Sequence, residues 1–189
     1  MELNSHHNQL TDQIRECYGR VVWTHKTHEK CADILDDSHN LIKLVQIILS
    51  AATTTGIFAA VFGSQPFIGY ISAVISLILT ILTTYVKKYD LGGLSQKHRD
   101  AAASLWNIRE SYLSLITDLT TKSIDEPEAR TKRDSLQASL HKLYKGSPST
   151  NVGSAYKLAS EALQQNEELT FSDEEIDKFL PVSLRKTSS

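Results

Sequence analysis

Charged residues are absent between positions 44 and 86, and the rest of the chain is arranged around that gap. Residues 44–62 read LVQIILSAATTTGIFAAVF and residues 68–86 read IGYISAVISLILTILTTYV. A helix of about 19 residues is roughly 28 Å long, close to the ~30 Å hydrocarbon core of a bilayer. The intervening stretch, residues 63–67, contains Gly63 and Pro66, two helix breakers. The pattern predicts a transmembrane helical hairpin. The competing reading is a buried hairpin in a soluble helical protein, since Gln46 and Thr53, Thr54 and Thr55 dilute the first run. Helices of soluble domains normally keep a polar face, and neither run has a charged one.

Both flanks carry heptad patterns. Before the first span, Leu10, Ile14, Cys17, Val21, Thr24, His28, Cys31, Leu35, Ser38 and Ile42 follow alternating steps of four and three. After the second, Leu94, His98, Ala101, Leu105, Ile108, Tyr112, Leu115 and Leu119 do the same. Such seams call for a partner helix. Two seams leaving one hairpin run side by side and antiparallel, which predicts a cytoplasmic stalk. Its central contacts are expected from Ile14, Val21, His28 and Leu35 on one helix and His98, Leu105, Ile108 and Tyr112 on the other. A break is expected within residues 36–40, and a hinge at Gly92 and Gly93. Beyond the stalk, Asp125 and Pro127 mark a new helix start. Residues 146–151 form a loop and 155–163 a short helix. The sequence Ser172, Asp173, Glu174, Glu175 reads as a capping box, with a stop at Pro181.

The expected organisation is an N-terminal cytoplasmic helix (1–43), a hairpin (44–86), a heptad helix (87–122), C-terminal helices (123–181) and a disordered tail (182–189). The fold class is an all-α membrane protein: a two-helix transmembrane hairpin, long cytoplasmic helices packed as an antiparallel stalk, and a small C-terminal helical region.

Charge adds orientation. Lys26, Lys30 and Lys43 precede the first span, and Lys87, Lys88, Lys97 and Arg99 follow the second, while the turn has none. The positive-inside rule then puts both termini in the cytoplasm. Cys17 and Cys31 are therefore expected as reduced thiols. A net charge of -2 from 20 basic and 22 acidic residues gives no basic surface for direct nucleic-acid binding.

Enzyme chemistry is not indicated. The chain has no phosphate-binding glycine loop, zinc-protease motif or nucleophile elbow, and no cofactor is expected. Cys17, His25, His28 and Cys31 are the best metal candidates, but Cys17 and Cys31 lie ~21 Å apart on one helix. Seam packing is the preferred reading, and no metal is assigned. His28 and His98 are expected as neutral core histidines, with a pH-sensitive stalk as the sharper alternative.

The spans carry ordered polarity. Ser72, Ser76 and Thr83 share one face with Thr80 at its edge, and Gln46, Ser50 and Thr53 form a second strip. Ala52, Gly56 and Ala60 place small residues at four-residue spacing, suited to close helix packing. The hydroxyls could serve as helix glue, or the seven strip residues could line a wet path in a homo-oligomer. Two helices cannot enclose a pore alone, so the second reading requires self-association within the lipid bilayer.

The run YGRVVWTHKTHEK at residues 18–30, the hairpin, the heptad helix and the ending FSDEEIDKFLP at 171–181 resemble the SLATT family, bacterial two-transmembrane effectors associated with SMODS and SLOG proteins. The resemblance covers nearly the whole chain. It implies a membrane effector of anti-phage defence in the inner membrane, forming a homo-oligomeric pore. Its partner would be a sensor or signal-producing protein, such as a nucleotidyltransferase or a reverse transcriptase. The alternative function is a membrane-anchored helical scaffold that recruits a partner and conducts nothing. A coupled solute transporter is disfavoured, because neither span holds an ionisable residue.

Overall fold

The structure is a computed structural model that describes residues 2–63 and 66–179. Six helices follow in order: α1 (Glu2–Phe62), α2 (Pro66–Tyr89), α3 (Leu91–Thr120), α4 (Glu126–Gly146), α5 (Ala155–Gln164) and α6 (Asp173–Phe179). There is no strand among the described residues. Ser64, Gln65, Pro181 and the tail 182–189 lie outside them.

α1 is one 61-residue helix from the N-terminal region through the first span. The break expected within residues 36–40 does not occur. No proline or glycine lies there, and the groups that could pull the backbone out of register are engaged otherwise. Ser38 Oγ donates back to Ile34 O at 2.8 Å, and Arg99 on α3 pairs with Asp36. At ~1.5 Å per residue the helix is about 90 Å long. α1 therefore joins the first span to the stalk as one continuous rod.

The returning strand is interrupted. Asp90 takes a left-handed conformation, φ 40°, between α2 and α3. Its carboxylate accepts the Gly93 N–H at 3.1 Å and so caps α3. The discontinuity thus falls at Asp90, ahead of the glycine pair, which sits in the first turn of α3. Aspartate tolerates αL because its short side chain bonds locally. Gly92 has a separate role: a Cβ there would stand 3.1 Å from His39 Nε2, so its absence lets the α1 ring approach.

The stalk is the packing of α1 against α3, with α4 laid on α3 and α5 laid on α1. Leu10, Ile14, Cys17, Val21, Leu105, Ile108, Tyr112, Leu115, Leu119 and Ala129 form the apolar core. Leu136, Leu140 and Leu143 of α4 close its outer side. Asp125 caps α4, accepting the Glu128 N–H at 2.9 Å. α5 uses a flat face of Ala155, Ala159 and Ala162, all buried. Small residues let it sit close to α1, where Trp23 and Tyr156 meet at 5.2 Å between ring centroids. The expected capping box is formed at α6: Glu175 N–H donates to Ser172 Oγ, and Ser172 N–H donates to Glu175 Oε2.

Candidate functional site: the polar face of the hairpin and the histidine joint beneath it

The spans touch along one stripe each. On α1 the half-buried positions include Val45, Gln46, Leu49, Thr53, Gly56, Ala59 and Ala60. On α2 they include Ile68, Gly69, Ile75, Leu79, Leu82 and Val86, with Ser72 buried among them. Elsewhere large apolar side chains stand exposed around both helices. Ile47 is 67% exposed, Leu77 63% and Phe62 79%. Such surface is unfavourable in water and is the natural surface against lipid.

Register is fixed at three levels. Gln46 Nε2 donates to Thr83 Oγ1 at 3.2 Å near the stalk end. Gly56 lies against Ser72, whose hydroxyl occupies the space a Cβ would need. Gly69 faces Ala60, whose Cβ would stand 3.5 Å from a Cβ placed at Gly69. Between these levels Thr53 comes level with Ser76, and Ser50 with Thr80. Of the three small residues at four-residue spacing, Gly56 and Ala60 face α2, whereas Ala52 is exposed. The contact stripe advances by alternating steps, from Leu49 to Thr53 to Gly56 to Ala60, so a strict step of four drifts off it.

The seven polar strip residues therefore fall into two groups. Ser72 is buried between the helices, and Gln46 with Thr83 links them. Ser50, Ser76 and Thr80 are exposed on the flank of the hairpin, with Thr53 half-buried beside them. Most of the hydroxyls return to their own helix. Thr53 Oγ1 donates to Leu49 O, Ser72 Oγ to Ile68 O, Thr80 Oγ1 to Ser76 O and Thr83 Oγ1 to Leu79 O, all at 2.8 to 3.0 Å. The hydroxyls of Ser50 and Ser76 are exceptions: neither has a hydrogen-bond partner among the described residues.

Below the membrane, the seam residues Ile14, Val21, His28 and Leu35 of α1 and His98, Leu105, Ile108 and Tyr112 of α3 are all buried. The two histidines meet directly, Nδ1 to Nδ1 at 2.8 Å. One must donate and the other accept, and burial disfavours a charge on either ring. His98 Nε2 is buried without a partner. A bare lone pair is better tolerated there than an orphaned N–H, which assigns the Nδ1 proton to His98 and leaves His28 accepting. Burial pushes the His28 pKa down to about 4, helped by the fields of His98 and His25. Burial lowers His98 and His25 as well, although Glu29 opposes the shift of His25.

Periodicity missed the layer beside this joint. His25, Lys26 and Thr27 are buried along with His28: Glu168, after α5, folds over Lys26, and His25 lies beside Ala102 and Trp106 of α3. Lys26 Nζ lies 2.8 Å from Glu29 and 2.6 Å from Glu168. Burial pulls its pKa down, but hydrogen bonds to the two carboxylates outweigh that and raise it. Ser95 Oγ donates to Ala32 O at 3.0 Å, closing the α1–α3 contact beside His98. The two cysteines are free thiols in separate places. Cys17 is in the apolar core, and Cys31 Sγ donates to Thr150 O at 3.5 Å, its pKa pushed up to about 11 by burial. No three His, Cys, Asp or Glu side chains converge as a metal site among the described residues.

A two-span hairpin on a long antiparallel stalk, all helical and with a lipid-facing girdle, defines a small two-transmembrane α-helical membrane protein. The chain belongs to the SMODS and SLOG-associating 2TM effector domain family 4, which matches residues 10–175. That membership makes it a membrane effector of conflict and defence systems, in a family associated with SMODS and SLOG proteins. No curated protein and no solved structure matches it.

Proposed function

We propose that this protein is the membrane-permeabilising arm of a bacterial anti-phage system, forming a homo-oligomeric pore in the inner membrane with both termini in the cytoplasm. A sensor or signal-producing partner, a nucleotidyltransferase or a reverse transcriptase, switches it on through the cytoplasmic helices. The observation that carries this reading is the pair of unpartnered hydroxyls, Ser50 and Ser76, exposed on one flank of an otherwise apolar hairpin. A polar group facing hydrocarbon costs free energy unless water or another helix meets it. Several hairpins arranged with that flank inward would supply water to it and leave the apolar girdle outward.

The test is Ser76→Leu in the full chain. Leucine favours insertion, so the variant reaches the membrane. Membrane insertion, oligomer size by cross-linking and, once the trigger is present, depolarisation are measured together. Lost depolarisation with intact oligomers supports a wet path along this face. Lost oligomers would reassign the face to helix packing, and undiminished depolarisation would show that ions pass elsewhere.

A further inference from the structure

The polar flank does not end at the membrane surface. Lys43 lies one heptad before Ser50 on α1, and Lys87 one heptad after Thr80 on α2. At about 100° per residue each lysine falls within about 20° of its strip residue. α1 is unbroken through Lys43 and α2 through Lys87, so this placement follows the helices directly. Both lysines are exposed, and neither makes an ion pair among the described residues. The Gln46–Thr83 hydrogen bond lies one turn above each of them, which brings the two to the same level at the cytoplasmic rim of the strip.

Other charges near this rim lie further from the membrane or face away. Asp90 lies one turn further from the membrane and is bound as the cap of α3. Asp36 and Asp33 pair with Arg99. Lys88 lies about 80° or more from the strip and rests over the Tyr89 ring at 5.6 Å. At the other end of the strip, residues 63–67 hold no charge. The charges nearest the membrane on the polar flank are therefore both positive, and they are concentrated at one mouth.

We infer that the pore is anion-selective, with Lys43 and Lys87 of each copy forming a cationic ring at its cytoplasmic entrance. This inference rests on the pore reading above. Rings of like charge at a constriction concentrate counter-ions and exclude co-ions, and low-dielectric walls strengthen the effect. Chloride and small phosphate or carboxylate anions are the permeant class.

The experiment reconstitutes the purified full chain into planar bilayers under a potassium chloride gradient and reads the reversal potential. The wild-type protein should favour chloride over potassium by about fivefold or more, as expected for a potential of a few kT at the mouth. The pair K43Q/K87Q should bring that ratio near unity, and K43E/K87E should invert it. K88Q, off the strip, should leave it unchanged. If the glutamate pair fails to insert, the glutamine pair decides the matter alone. An indifferent or cation-preferring wild-type current, or chloride preference retained in K43Q/K87Q, would overturn this inference and leave the pore standing. A bilayer with inserted protein that passes no current even at protein densities high enough to drive self-association without the partner would overturn the pore reading, and this inference with it.

Discussion

Acid should loosen the stalk at its histidine joint. In the folded chain His28 and His98 form a neutral pair with no room for a further proton. The incoming proton would have to sit on His98 Nε2, which is buried and has no acceptor, or break the 2.8 Å Nδ1–Nδ1 bond. In the unfolded chain both rings titrate near 6.5. A histidine whose folded pKa is depressed contributes stability that is complete above 6.5 and is lost as pH falls toward the folded value, which for His28 is about 4. The slope is about 1.4 kcal/mol per pH unit per histidine. Between pH 6.5 and 5, His28 alone gives up about 2 kcal/mol, and His98 adds to the loss in the same direction. For a chain of this size that is a fall of roughly 4–8 °C in melting temperature from His28 alone. Carboxylates held below their usual range, Asp36 by Arg99 and Glu168 by Lys26, give up stability only at lower pH, whereas His25, also lowered by burial, adds to the loss in the same window. The assay is thermal unfolding of the full chain in nanodiscs, followed by helical circular dichroism at about pH 8, 6.5 and 5. The double variant His28→Gln/His98→Gln keeps a polar contact and removes the titration. An equally steep loss in that variant would show that the pair does not control the acid response.

Two further outcomes follow from the stalk. Leu105 is fully buried between α1 and α3, so Leu105→Asp should destabilise the stalk by about 4 kcal/mol or more, because it places an unpaired carboxylate in the core. Chemical denaturation in nanodiscs would read this as a shifted midpoint, and an unshifted one would remove Leu105 from the seam. Cys31 is buried, with its pKa pushed up to about 11. Its reaction with a maleimide near neutral pH should be at least about 100-fold slower in the folded chain than in denaturant, and equal rates would contradict its packing against Thr150.

How far the fold can be read from the sequence depends on whether a feature is carried by spacing or by partnership. The absence of charge over residues 44–86 depends on nothing outside the segment, and it coincides with the exposed apolar girdle. The heptad steps mark Leu10, Ile14, Val21, Leu105, Ile108 and Leu119 as inward, and these side chains are buried. They are legible because one partner helix covers each face of the seam. Capping signals are also local: Asp125 reaches only to Glu128, and Ser172 only to Glu175.

What spacing cannot convey is a second partner on the same helix. Lys26 reads as a solvated cation between seam positions, and it is buried because Glu168, 142 residues away, folds over it. The same limit splits the polar strip. Periodicity groups Ser72, Ser76 and Thr83 within about 40° of arc, but it cannot say where on that arc α1 will lie. α1 lies on the Ser72 side, so Ser72 is sealed against Gly56 while Ser76 faces outward. The identity of the seven strip residues thus came from one chain's periodicity, and their division into helix contact and free flank came from the register of two helices. That division gives the Ser76→Leu experiment its discrimination. A substitution at Ser72 would disturb the hairpin and the flank together, whereas Ser76 can change without touching the Gly56 contact. The same reasoning separates Lys87 from its neighbour Lys88. One residue along the helix turns the side chain by about 100°, off the flank and onto the Tyr89 ring, so two adjacent lysines of identical chemistry are expected to differ in their effect on the ions that pass.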